Sequence, residues 1–131
     1  MWQVYDELYE RGTRFPLKDH LWNLYLMEKG LFKPEPTNGI IVGGCGMAVS
    51  HLTVLADGRV YACRRFTSPI GKVPEQQFDE LFMSDSLNEY RIRENFEKCN
   101  ECELFTYCRG CPAVSHCATG SWKSADPQCW K

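Results

Sequence analysis

The sequence has no excess of basic residues. Fifteen Lys and Arg stand against 17 Asp and Glu, for a net charge of −2. A nucleic-acid-binding surface would carry a positive surplus, so that class is set aside. No apolar run approaches the roughly 20 residues that cross a bilayer. The start, Met1-Trp2-Gln3-Val4-Tyr5-Asp6-Glu7, has neither the basic segment nor the apolar segment of a secretory signal, and the expected compartment is the cytoplasm. Internal repeats and low-complexity segments are absent. So are a Ser-His-Asp set, a P-loop and a zinc-protease motif. Gly43-Gly44-Cys45-Gly46 lacks the spacing of a dinucleotide fingerprint, so its glycines are expected to let the backbone wrap closely around whatever Cys45 holds. At 44% hydrophobic content the chain is not disordered, and 131 residues suffice for one domain or a domain with an appendage.

Cysteine, in contrast, is abundant. There are eight, none in the first third of the chain and six between Cys99 and Cys129. In a chain that reads as cytosolic, so many thiols point to metal before disulfides. The ladder runs Cys45, Cys63, then Cys99-x2-Cys102-x5-Cys108-x2-Cys111-x5-Cys117 and finally Cys129. Two thiolates separated by two residues can bind one metal from a tight turn, and two such pairs among eight cysteines are a strong signal. Zinc ribbons usually pair their knuckles across a longer loop than the five residues between Cys102 and Cys108. Iron–sulfur clusters accept compact ladders, so they stand first, zinc second, and disulfides or free thiols third.

The organisation reads as α+β. Val4, Tyr5, Leu8 and Tyr9 sit at helical spacing over residues 2–11, with Gly12 as a stop. A second amphipathic run covers about residues 19–29 and ends at Gly30. Lys33 to Gly39 reads as a linker, dividing residues 1–36 from 37–131. Residues 51–64 read as a β-hairpin around Asp57-Gly58, which returns Cys63 towards Cys45. Two short helices are expected next. Phe78, Leu81 and Phe82 share a face in one, and Ser86 to Glu89 would cap the other, which would run to about Phe96. A cysteine-rich coil follows, with a short helix after Pro112 that stops at Gly120.

At this level of detail the sequence resembles the SPASM domain, the C-terminal extension of many radical S-adenosylmethionine (SAM) enzymes that modify peptides and proteins. The resemblance rests on Cys45-x12-Gly58-x4-Cys63, on Cys99-x2-Cys102-x5-Cys108 with Cys111 nearby, and on the late Cys129. It extends to Leu52–Cys63, Ile70–Val73, Phe78–Phe82, Cys108-Arg109-Gly110-Cys111-Pro112-Ala113 and Asp126-Pro127-Gln128-Cys129-Trp130, and covers roughly residues 44–130. The resemblance implies two auxiliary [4Fe–4S] clusters. Cys99, Cys102, Cys108 and Cys129 would hold one, and Cys45, Cys63 and Cys111 the other. The family usually has three residues between the third and fourth cysteines of its central motif, whereas two separate Cys108 and Cys111. An additional cysteine that some members carry before the hairpin cysteine is also missing. Cys117 is a candidate for the fourth ligand, and an open position is the alternative. His51 and His116 are expected to be ordinary solvated or hydrogen-bonded histidines. Arg64, Arg65, Lys72 and Arg109 are expected to be surface charge, although cations beside a cluster would raise its potential. Trp122 and Trp130 are expected to shield a cluster.

The radical SAM reaction needs CxxxCxxC, which does not occur here, and a barrel of about 200 residues or more, for which there is no room. The expectation is therefore the auxiliary end of a longer enzyme. Residues 1–36 would be linker helices from the catalytic barrel, SAM would bind only in that barrel, and an electron donor and a peptide or protein substrate would be partners. A stand-alone electron-transfer or substrate-recruiting module, and a structural zinc-binding interaction module, are the alternatives.

Overall fold

The computed structural model describes residues 2–15 and 20–131. Among the described residues, five short α-helices and a three-stranded antiparallel sheet are joined by long stretches of turn, a small α+β domain as the sequence predicts. Helix α1 spans Trp2–Glu10 and α2 spans Trp22–Glu28. Asp19, where the second predicted helix was to begin, lies outside the described residues. The two helices meet through aromatic rings. Trp2 stacks on Tyr25 at 4.3 Å, and the Tyr25 hydroxyl donates to the Asp6 carboxylate at 2.6 Å.

The sheet is β1 (Thr53–Val54), β2 (Arg59–Tyr61) and β3 (Pro69–Lys72), in that order. Thr53 pairs with Tyr61, and Val60 pairs with both Val54 and Gly71. The hairpin forms where the Asp57-Gly58 signal predicts it. Its turn is longer than two residues: Leu55 already donates to the Arg59 carbonyl, and the Asp57 carboxylate accepts the Arg59 N–H. The third strand is additional to the predicted hairpin. Proline opens it and a glycine interrupts it, and both weaken a strand signal. The glycine is required by packing. A Cβ at Gly71 would stand 2.2 Å from Cδ2 of Leu81, a fully buried residue of the following helix.

Helices α3 (Phe78–Phe82) and α4 (Asp85–Asn88) follow the sheet. The capping box sits at the first of them, with Gln77 and Glu80 bonding reciprocally. Ser84, not Ser86, caps the second, and that helix ends at Asn88 rather than near Phe96. Arg93–Asn95 and Cys99–Glu101 are single 3-10 turns. Helix α5 spans Pro112–Thr119, with proline in its first turn and left-handed Gly120 after it, as predicted.

Two hydrophobic cores result. The larger joins the sheet to α3, α4 and α5 through Val60, Ala62, Ile70, Leu81, Leu87, Tyr90 and Ala113, and it includes Cys63 and Cys111. The smaller consists of Leu21, Leu24, Leu104 and Cys108, with Cys102 and Cys129 packed against it. Each core thus carries its own group of thiols. Among the described residues, no helix is long and apolar enough to cross a membrane.

Candidate metal centres

The thiols converge on two places. Cys45, Cys63 and Cys111 line a cavity of about 440 Å3, shared with His51, Leu52, Thr53, Arg64 and Arg65. Cys99, Cys102, Cys108 and Cys129 line a small enclosed cavity of about 30 Å3, walled by Leu21, Leu24 and Leu104. That second site opens outward into a hollow of about 220 Å3 bordered by Cys99, Cys102 and Cys129 again, together with Asp126 and Lys131. All eight cysteines are free thiols.

Electrostatics divides the thiols in the same way. Burial raises the pKa of Cys45, and Cys111 and Cys63 add to the rise. Burial pushes Cys99 up to about 11, with further contributions from Cys102 and Cys129. Cys108 is likewise pushed up to about 11 by burial, then by Cys99, Cys129 and Cys102. Each of these three thiols feels members of its own set. Cys117 belongs to neither cavity. It is exposed on α5 and borders a separate hollow with Arg65, Ala113, Val114 and Ala118.

Backbone N–H groups point at several of these sulfurs. The N–H of Arg65 donates to Cys63 Sγ at 3.5 Å. The N–H of Met47 stands in the same relation to Cys45, and that of Gly110 to Cys108. In every case the donor lies two residues after the cysteine. At Cys45 and Cys108 this bond works against the larger effect of burial, and N–H bonds to sulfur are among the features that tune a cluster's potential. Gly44, with φ of +76°, makes the approach of the first cysteine loop possible, since a Cβ there would stand 2.8 Å from the Tyr107 carbonyl oxygen. The close approach that this glycine permits is to the backbone of Tyr107 and Cys108.

Two buried side chains tie the centres together. Arg109 is only 2% exposed, so for this residue the expectation of ordinary surface charge is wrong. Its guanidinium donates to the carbonyls of Tyr90 (2.7 Å), Cys45 (2.7 Å) and Met47 (3.1 Å). Its Nε has no partner among the described residues. Burial works against this cation, and the thiols of Cys45 and Cys108, one from each set, act in its favour. A guanidinium keeps its charge in proteins, so a buried one bonded only to carbonyls calls for nearby negative charge. Metal-bound thiolates would supply that charge, and this, with the all-thiol donor sets, is how the residues fit iron–sulfur clusters.

Asp126 is the second link. Its Oδ2 accepts the N–H of Cys111 at 2.8 Å and lies 2.8 Å from His20 Nε2, and its Oδ1 accepts the N–H of Gln128. Its main-chain carbonyl accepts the N–H of Cys129. One buried residue therefore orients a cysteine of each set. Ser68, 1% exposed, does the same for Cys63 by accepting its N–H at 3.0 Å. His20 and Ser68 carry no sequence signal, because the groups they serve are brought to them only by folding.

The remaining expectations fare unevenly. His51 borders the three-thiol cavity, whereas His116 packs its ring 5.1 Å from Phe66. Lys72 pairs with Glu75 at the surface, while Arg64 and Arg65 border the cavity. Trp122 lies on Tyr90 in the larger core at 4.6 Å. Trp130 is 43% exposed, and its indole N–H donates to Glu28 at 2.7 Å, so it fastens the C-terminus to α2.

Two thiol-lined cavities in a small α+β domain point to the cluster-binding class of protein, although among the described residues no three Cys, His, Asp or Glu side chains are grouped as for a single metal ion. Comparison with known proteins names the family. The SPASM family model, described as an iron–sulfur cluster-binding domain, matches residues 45–112, just over half the chain, and the chain belongs to that family. It is also similar to two curated proteins named AdoMet-dependent heme synthase. The one from Methanosarcina barkeri (strain Fusaro) is 30% identical over 88 residues, covering 66% of this chain and 25% of that protein. The one from Oleidesulfovibrio alaskensis is 27% identical over 88 residues, covering 66% and 23%. The chain thus spans about a quarter of the length of these relatives. No solved structure matches it.

Proposed function

We propose that this chain is the auxiliary domain of a radical SAM enzyme and holds two [4Fe–4S] clusters. Cys99, Cys102, Cys108 and Cys129 would hold the second cluster completely. Cys45, Cys63 and Cys111 would hold the first and leave one coordination position to an exogenous ligand, with Cys117 outside the ligand set. The observation that carries this reading is the sorting of seven thiols into two closed groups, four and three, each lining its own cavity.

The clusters, when bound, supply one-electron transfer. The chain's own residues do the rest. Arg109 spans the space between the sets and offsets thiolate charge. Leu21, Leu24 and Leu104 form an apolar wall on one side of the four-cysteine site. The open mouth beside the three-cysteine site admits a ligand. On this reading residues 1–36 lead from the catalytic barrel, and α2 also closes the second centre. SAM would bind at the CxxxCxxC of that barrel, with an electron donor and substrate as further partners, in a reducing cytoplasm. The family resemblance supports a peptide or protein substrate. The names of the two relatives support a second reading, heme formation, for the parent enzyme.

Anaerobic reconstitution with iron and sulfide tests the assignment. About eight irons and eight sulfides per chain are expected for two cubanes. Zinc bound without sulfide under the same conditions would overturn it in favour of a structural zinc module.

A further inference from the structure

The three-thiol cavity has an unbalanced wall. Arg64 and Arg65 both border it, both are exposed, and neither guanidinium makes an ion pair or hydrogen bond among the described residues. No Asp or Glu lines the cavity, and the other polar groups on it are His51 and Thr53. Arg65 is also fixed to the centre itself, because its backbone N–H donates to Cys63 Sγ. Several other cations have partners: Arg59 pairs with Asp57, Lys72 with Glu75 and Lys131 with Glu103, and Arg91 and Arg109 bond to carbonyls. Arg11 and Lys33 are exposed and equally unengaged among the described residues, but they do not line this cavity. Two unengaged guanidinia side by side on a cavity without a carboxylate leave its wall with unbalanced positive charge.

Guanidinium groups recognise carboxylates through paired, charge-assisted hydrogen bonds. We propose that this cavity takes a carboxylate-bearing ligand, with Arg64 and Arg65 holding the carboxylate and the ligand's donor atom facing the position that Cys45, Cys63 and Cys111 leave unfilled. The proposal rests on the reading of the first centre as a three-cysteine cluster. It adds a substrate class: a molecule with a carboxylate set back from its metal-binding or reacting atom.

Two small thiols provide the test. The reconstituted, reduced 131-residue chain is titrated with 3-mercaptopropionate and, separately, with 2-mercaptoethanol at constant ionic strength, and the cluster electron paramagnetic resonance signal is followed. Each thiol gives up its proton to buffer as its sulfur binds. Both should perturb the signal, with 3-mercaptopropionate binding about tenfold or more tightly, the value of one charge-assisted contact. The ratio should fall to near one in the Arg64→Gln/Arg65→Gln double variant, compared at matched iron content. If neither thiol perturbs the signal, the three-cysteine reading fails, and the proposal fails with it. If both bind equally to the unaltered chain, the cluster reading stands and the carboxylate proposal is overturned. A preference that survives in the double variant overturns the assignment to these arginines. A variant that shifts only the reduction potential, with no selectivity in the parent chain, gives the arginines a charge-balancing role instead.

Discussion

Removing the Arg109 side chain should destabilise the loaded domain more than any other single surface-to-core arginine change. In Arg109→Leu the carbonyls of Tyr90, Cys45 and Met47, bonded at 2.7, 2.7 and 3.1 Å, lose their donor together. A buried acceptor left unpaired costs about 1–3 kcal/mol. Part of that cost is offset because a buried cation no longer has to be desolvated. The net loss is about 3–5 kcal/mol, the range for breaking a buried charged arrangement. Residues 45–48 should suffer most. Ala48 is held there at φ of +62°, and its carbonyl is stapled by Arg91 Nε at 2.6 Å, so one of the loop's two arginine staples would be gone. The assay is urea denaturation of anaerobically reconstituted protein at matched iron content, followed by visible absorption and circular dichroism. With a slope of about 1–3 kcal/mol per molar urea, the midpoint should fall by more than about 1 M. Arg109→Lys should lie between, since one ammonium keeps the charge but cannot span three carbonyls. A Leu variant within about 0.5 M of the parent midpoint, with unchanged iron, would refute the assigned role.

Three further outcomes are expected. Cys99→Ala should lower the reconstituted iron content by about four per chain, whereas Cys117→Ala should leave it unchanged; loss of iron in the Cys117 variant would return that residue to the ligand set. Asp126→Ala should cost about 3 kcal/mol and lower occupancy at both centres, because hydrogen bonds to Cys111, Gln128 and His20 disappear together; occupancy lost at one centre alone would argue against a shared scaffold. The folded, metal-free chain keeps Cys99 and Cys108 protonated up to about 11. In the unfolded chain thiols ionise near 8.5, so between these values the unfolded state binds fewer protons and stability falls as pH rises. Thermal melts of the metal-free chain should show that decline, while cadmium binding, which competes with the same protons, should tighten over the same range. A flat melting profile above pH 8 would contradict the burial of these two thiols.

Local chemistry was legible in the chain wherever it is local. The Asp-Gly turn, the proline-led helix ending at Gly120 and the Cys99-x2-Cys102 pair are short-range features, and they form where the pattern places them, whereas the equally spaced Cys108 and Cys111 line different cavities. The segment after Asn88 shows the limit. Its helical periodicity is real, yet Tyr90 and Phe96, 7% and 2% exposed, are drawn into the core, and the helix is abandoned after one turn. Strand β3 shows the converse. Pro69 and Gly71 are poor strand residues, but Gly71 is the only residue type that leaves room for Leu81.

The sequence by itself determined that this is a thiol-rich, metal-binding α+β chain, because ligand type and close spacing are properties of neighbouring residues. It also carried the motif by which the SPASM iron–sulfur family is recognised. Spacing alone did not say which thiols share a cavity; the family resemblance implied the partition, and the tertiary structure brings Cys45 to Cys111, and Cys129 to Cys99, across long loops. It also turned Arg109 from apparent surface charge into a buried cation between the centres, and it brought His20 to Asp126 across 106 residues. Those arrangements depend on which backbone groups are desolvated together, and that is fixed only when both cores close.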